Sequence, residues 1–159
     1  MTLEEKTVKV LKEKNLVMAC AESCTGGLIA KRVTDVSGSS SVFNCGIVSY
    51  SNEIKEKVLG VKHETLEIYG AVSEQTVREM VAGVLKISGA DVAVAVSGIA
   101  GPLSDNTSKP VGLIWLAVSD SKTTDVKCLN NNFTDDIRNN NRISASDEAL
   151  KLILQKAGE

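Results

Sequence analysis

The chain has 159 residues, 43% of them apolar and 24% charged, with a formal net charge of -2. That length supports one domain over residues 1–159 with a core large enough to fold without disulfides or a metal. The interspersed charges leave no basic stripe for nucleic acid. No apolar run approaches the roughly 20 residues that cross a bilayer, and Met1-Thr2-Leu3-Glu4-Glu5 lacks the basic and apolar regions of a secretion signal. The expectation is a cytoplasmic domain with no nucleic-acid or membrane partner.

Thr2-Leu3-Glu4-Glu5 has the capping-box spacing, so a first helix is expected from there to about Lys14. Leu16 to Ala21 is a continuous apolar run of the kind that fits a strand buried on both faces. Ser23-Cys24-Thr25-Gly26-Gly27 then forms a turn, and Leu28 to Val33 reads as helix. Val42 to Tyr50 reads as a second strand, followed by a short helix from Asn52 to Leu59 and a polar segment around His63. From Ser73, a plausible N-cap, Val77, Met80, Val81, Val84 and Leu85 recur with helical period. Asp91 to Ser97 alternates Val with Ala, which suits a central strand with helices packed close. Val111 to Val118 is a further strand, with Trp115 expected in the core, and Asp125 to Leu129 is a weaker one. The asparagine runs at 130–132 and 139–141 read as surface turns, and a last helix covers Ser146 to Lys156. Helices alternating with buried strands indicate an α/β fold, a three-layer α/β/α sandwich around a mostly buried mixed sheet.

Cys20, Cys24, Cys45 and Cys128 have no metal-ligand spacing, and His63 is the only histidine, in a segment expected at the surface. A hydrolase built from this chain therefore needs a base other than histidine. Three segments offer chemistry. Ser23 follows a buried strand and precedes two glycines and a helix, where the N–H groups of Thr25, Gly26 and Gly27 could hold a phosphate or stabilise an oxyanion. The alternative is that Ser23 simply caps the helix. In Tyr50-Ser51-Asn52-Glu53-Ile54-Lys55, a helix starting at Ser51 or Asn52 puts Lys55 in its first turn, where the positive end of the dipole and partial burial lower a lysine's pKa towards that of a general base. Tyr50 could then donate a hydrogen bond to that amine or relay a proton. The alternative here is that Lys55 and Lys57 are solvated surface lysines and Tyr50 is a wedge of core. Ser97-Gly98-Ile99-Ala100-Gly101-Pro102 follows another buried strand and lets a ligand approach the backbone, or else makes a tight turn. Arg138 and Arg142, four apart, would share a helix face and could bind an anion or simply be solvated arginines.

Taken together and in order, Ala21-Glu22-Ser23-Cys24-Thr25-Gly26-Gly27, Val48-Ser49-Tyr50-Ser51-Asn52-Glu53 with Lys55, Gly70-Ala71-Val72-Ser73 and Ser97-Gly98-Ile99-Ala100-Gly101-Pro102 closely resemble the CinA C-terminal domain family. The resemblance implies nicotinamide-nucleotide amidohydrolase activity, with a pyridine nucleotide as substrate, no metal or organic cofactor, and association into a homo-oligomer. Carried over by position, it implies Ser23 as nucleophile, Lys55 as base and Tyr50 as its assistant. It implies substrate contacts from Thr25, Gly26, Gly27, Ser97 and Gly98, and phosphate contacts from Arg138 or Arg142. Two departures stand out: Ser97 occupies a position where the family has threonine, and the glycine that precedes the family's first arginine is missing. The rival readings are a non-catalytic nucleotide-binding domain that keeps the fold, and a cysteine hydrolase using Cys24.

Overall fold

The alternation of large and small residues along the central strand decides how the layers stack. In the computed structural model, which describes residues 1–159, β1 (Met18–Glu22) and β3 (Val92–Gly98) lie side by side in a five-stranded sheet of order β2-β1-β3-β4-β5, with β2 (Phe43–Val48), β4 (Leu113–Ser119) and β5 (Thr124–Asn130) completing it. Val92, Val94 and Val96 join Met18, Cys20, Ile114 and Leu116 in one core, against Val8 and Leu11 of α1 (Leu3–Glu13), Ile29 and Val33 of α2 (Leu28–Thr34), and Leu150 and Ile153 of α6 (Ile137–Lys156). On the opposite face Ala19, Ala21, Ala93, Ala95 and Ala117 present little more than a methyl group each. There Val77, Met80, Val81 and Val84 of α5 (Glu74–Ser88) close over the sheet, backed by α3 (Asn52–Leu59) and α4 (His63–Tyr69). Large residues on one face and alanines on the other thus build the expected α/β/α sandwich, with α5 able to approach the sheet backbone closely.

β1 pairs in parallel with both β2 and β3, whereas β4 and β5 are antiparallel additions. The chain leaves β1 towards β2 on one side and returns to β3 on the other. The crevice between the carboxyl ends of these strands is therefore the switch point where open α/β sheets bind ligands. The turn Ser23–Gly27, the segment Ser49–Ser51 and the loop after Gly98 all converge on that crevice.

Several boundaries differ from those expected. The capping box at Thr2 forms, with Glu5 N–H donating to Thr2 Oγ1 (3.2 Å) and Thr2 N–H to Glu5 Oε2 (2.6 Å). The last helix begins at Ile137, nine residues before Ser146, so Asn139, Asn140 and Asn141 are helical rather than surface turns. Weak helix propensity is overridden there because Asn141 is buried and donates from Nδ2 to the Ala100 carbonyl (2.9 Å), tying α6 to the loop after β3. Trp115 is half-buried rather than fully enclosed, and packs on the alanine-faced core. His63 opens α4 at the surface between Glu56 and Glu67. No helix is long and apolar enough to cross a membrane.

Gly83 in the middle of α5 marks the closest approach of two helices, since a Cβ there would overlap the Leu59 carbonyl at the end of α3. Gly83→Ala ordinarily favours a helix by about 1 kcal/mol. Here it should instead destabilise the protein by about 1–3 kcal/mol, read as a lower denaturant midpoint, because α3 must move away. A stabilised variant would contradict this packing.

Candidate active site

Ser23 sits immediately after β1, its N–H donating to the Val96 carbonyl of β3 (3.1 Å), and the residue is 8% exposed. It does not cap α2, whose N-cap position is Gly27 in the left-handed region (φ 100°). The anion that caps α2 is Glu22. This carboxylate is fully buried and accepts the N–H groups of Ile29 (2.9 Å) and Ala30 (3.0 Å) together with the Cys20 thiol (3.6 Å). A negative charge at a helix N-terminus satisfies two orphan donors and the dipole at once. Glu22 was not singled out in the sequence, although a lone acidic residue between an apolar strand and a glycine turn was the available signal. Arg142 completes the brace. Its guanidinium donates to the carbonyls of Cys24 (3.2 Å) and Thr25 (2.7 Å), holding the turn from α6.

Lys55 projects from the first turn of α3, capped by Ser51, whose hydroxyl accepts the Ile54 N–H (3.2 Å). It is only 1% exposed, and its ammonium has two partners, Ser23 Oγ at 3.0 Å and the Ser49 carbonyl at 2.8 Å. Neither partner is anionic. Burial without a counter-charge lowers the Lys55 pKa from its ordinary 10.5 to about 8, with the neighbouring Cys24 pulling weakly the other way. The reading of Lys55 as a solvated lysine is therefore overturned; Lys57, by contrast, is exposed and pairs with Glu53.

These groups open onto a cleft of about 240 Å³ whose lining includes Ser23, Cys24, Tyr50, Lys55, Ser97, Gly98, Asp105 and Arg138. Thr25, Gly26, Gly27 and Arg142, expected to contact substrate, do not line it. Gly26 N–H is already donated to the Ser23 carbonyl (3.0 Å), Thr25 is buried, and Arg142 is engaged beneath the turn. The N–H groups of Cys24, Ala100 and Gly101, all in segments that do line the cleft, have no acceptor within the chain. Tyr50 is 60% exposed and its hydroxyl accepts from Arg138 Nη2 (2.9 Å), so it does not contact Lys55 as expected. Cys24 is buried beside Ser23, and burial pushes its thiol up to about 12, the opposite of an activated nucleophile. The loop at 103–109 borders the cleft, anchored by Lys109 Nζ donating to the carbonyls of Tyr69 and Val72 (2.6 Å each).

Residues 1–157 match the model of the CinA C-terminal domain. The chain belongs to that family. Among its relatives is the "Nicotinamide-nucleotide amidohydrolase PncC" of Enterobacter agglomerans, 58% identical over 116 residues that make up 71% of this chain and 71% of that protein. A "CinA-like protein" of Thermotoga neapolitana is 46% identical over 149 residues, 94% of this chain and 36% of the relative. The chain spans about a third of the length of several such curated relatives. The crystal structure of competence/damage inducible protein CihA from Agrobacterium tumefaciens superposes with a TM-score of 0.91 at 39% identity, covering 99% of this chain and 94% of that one. The fold is thus that of solved members of the family.

An uncompensated buried lysine lowers stability. Below pH 8 the fold must bury an ammonium or release its proton, and the penalty disappears as pH rises from about 8 to 10.5, where the unfolded chain also loses that proton. The shift corresponds to about 3 kcal/mol, offset in a methionine variant by lost hydrogen bonds of about 1 kcal/mol each. Lys55→Met should therefore be more stable than the parent at pH 7 by about 1 kcal/mol, with the advantage shrinking towards pH 10.5. A stability difference independent of pH would contradict the depressed pKa.

Proposed function

We propose that this domain hydrolyses the carboxamide of nicotinamide mononucleotide to nicotinate mononucleotide and ammonia, with Ser23 as nucleophile and Lys55 as its base. The observation that carries the reading is the 3.0 Å contact between Ser23 Oγ and the amine of a buried lysine that no carboxylate neutralises. Family membership and the identity to a relative named as a nicotinamide-nucleotide amidohydrolase support the choice of substrate.

In the neutral form of Lys55 the hydrogen bond runs the other way, with the Ser23 hydroxyl donating to Nζ while Nζ still donates to the Ser49 carbonyl. As Ser23 Oγ attacks the carboxamide carbon, its proton passes to Lys55, and the carbonyl oxygen becomes an oxyanion. The unpaired N–H groups of Cys24, Ala100 and Gly101 are the candidate oxyanion donors along the cleft. Collapse of the tetrahedral species breaks the C–N bond, Lys55 returns the proton to the departing amine, and ammonia leaves an acyl ester on Ser23. Water, deprotonated by Lys55, then attacks the ester, and as the acyl C–O bond breaks Lys55 returns the proton to Ser23 Oγ and nicotinate mononucleotide is released. Arg138, in the lining of the cleft, suits the phosphate of the nucleotide.

Ammonia release from nicotinamide mononucleotide should rise with pH through a midpoint near 8 and level off above it, because only neutral Lys55 accepts the proton. Ser23→Ala and Lys55→Ala should each lose at least about a thousandfold in kcat. Iodoacetamide at pH 8 should leave turnover intact, since a thiol with a pKa of about 12 stays protonated. Retained turnover in Ser23→Ala, or loss on alkylation of Cys24, would refute the proposal; nucleotide binding without turnover would favour the non-catalytic reading.

A further inference from the structure

Three charged side chains line the cleft that holds Ser23: Lys55 and Arg138 are cationic, and Asp105 is the one carboxylate. The proposed substrate brings a charge of its own into this space. Glycosylation at nitrogen makes the pyridine ring a fixed cation at every pH, and the carboxamide is bonded directly to that ring. Seating the carboxamide at Ser23 therefore carries a positive charge into the cleft. With Lys55 and Arg138 alone the lining would repel it.

Asp105 is held in place by neutral partners. Its Oδ1 accepts the Thr107 N–H (3.1 Å) and the Thr107 hydroxyl (2.5 Å), closing a tight turn through Asn106, which adopts the left-handed region (φ 65°). Thr107 Oγ1 in turn accepts the Lys109 N–H (3.2 Å), and the Lys109 ammonium is spent on the Tyr69 and Val72 carbonyls rather than on the carboxylate. The turn thus fixes the carboxylate, leaves Oδ2 uncommitted and supplies no counter-charge. Arg138 is likewise bound to neutral oxygens, those of Gly101 and Tyr50. Two opposite charges share one cleft without neutralising each other, so the negative one stays available to a cationic ligand. A carboxylate acts on a ring cation through space, and the low-dielectric walls of a cleft focus that field, so no direct contact is required of it.

We infer that Asp105 is a specificity-determining residue that selects the charge of the substrate ring, favouring N-substituted, cationic pyridine carboxamides over neutral ones. The choice of a pyridinium as the cation rests on the proposed substrate.

Asp105→Asn removes the charge and keeps an oxygen that can accept the Thr107 N–H, so the exposed loop retains its turn. In a Ser23→Ala background at pH 9, where Lys55 is mostly neutral, chemical-shift titrations compare 1-methylnicotinamide with nicotinamide, which share the carboxamide and differ in ring charge. The ratio of their affinities should fall about fivefold on Asp105→Asn, the most that an exposed ion pair ordinarily contributes, with nicotinamide itself unaffected. High salt should erode the same preference in the Asp105 protein. Nicotinamide mononucleotide should lose affinity by a similar factor. An unchanged ratio would overturn the inference. So would a mononucleotide affinity that falls while that for 1-methylnicotinamide stays, since the carboxylate would then serve the ribose hydroxyls. A ring-charge preference that depends on Asp105, in a protein that releases no ammonia from nicotinamide mononucleotide, would sustain this inference and remove only the amidase reading.

Discussion

Lys55 is 1% exposed and has no carboxylate partner, and the rest of the site is organised around the consequences of that placement. An ammonium removed from water without a counter-charge is unstable, and here the imbalance is relieved by a lower pKa rather than by an ion pair. The same absence of a carboxylate that weakens the fold prepares the amine to accept a proton near neutral pH. A single aspartate beside it would stabilise the charged form and remove its use as a base. Stability and the proposed chemistry are therefore opposed at one atom, as is common where a buried group must react.

Holding that amine against Ser23 requires two elements to be fixed independently. α3 is fixed by its contact with α5, where Gly83 permits the approach, and by the Ser51 cap at its start. The Ser23 turn is fixed by charges placed on its two sides. Glu22 neutralises the N-terminus of α2, and Arg142 gathers the carbonyls of Cys24 and Thr25. Two of the N–H groups at that dipole end, those of Ile29 and Ala30, are thereby satisfied internally. Arg138 and the unpaired N–H groups of Cys24, Ala100 and Gly101 are the polar groups left facing the cleft, where the proposed function places the substrate's negative charge. The same residue types that bind phosphate elsewhere are here divided between structure and site, and burial decides which is which.

The sheet was legible in the sequence because its signals are local. The apolar run before Ser23, the Val/Ala alternation from Asp91 and the helical period after Ser73 each report on their own neighbours, and the alternation even encoded which face accepts the close helix. Ser23 and Lys55 were legible as a pair only through the resemblance, since nothing in a 32-residue separation predicts a 3.0 Å contact. What escaped is long-range. Arg142 was expected at a phosphate but lies against a turn 117 and 118 residues away. Asn141 looked like surface and is buried against Ala100. Tyr50 was assigned to Lys55, a few residues along the chain, but pairs with Arg138 across the cleft. Polar side chains choose partners in space, and no periodicity records that choice.

The central claim is that Lys55 is a buried amine with a pKa near 8, and the most direct measurement is an NMR pH titration of its side-chain carbon and nitrogen signals, assigned by comparison with Lys55→Met. A midpoint near 8, well separated from the other lysines, is the result this account requires. A Lys55 signal titrating with the surface lysines above 10 would contradict it, because an amine that stays charged at neutral pH cannot take the proton of Ser23.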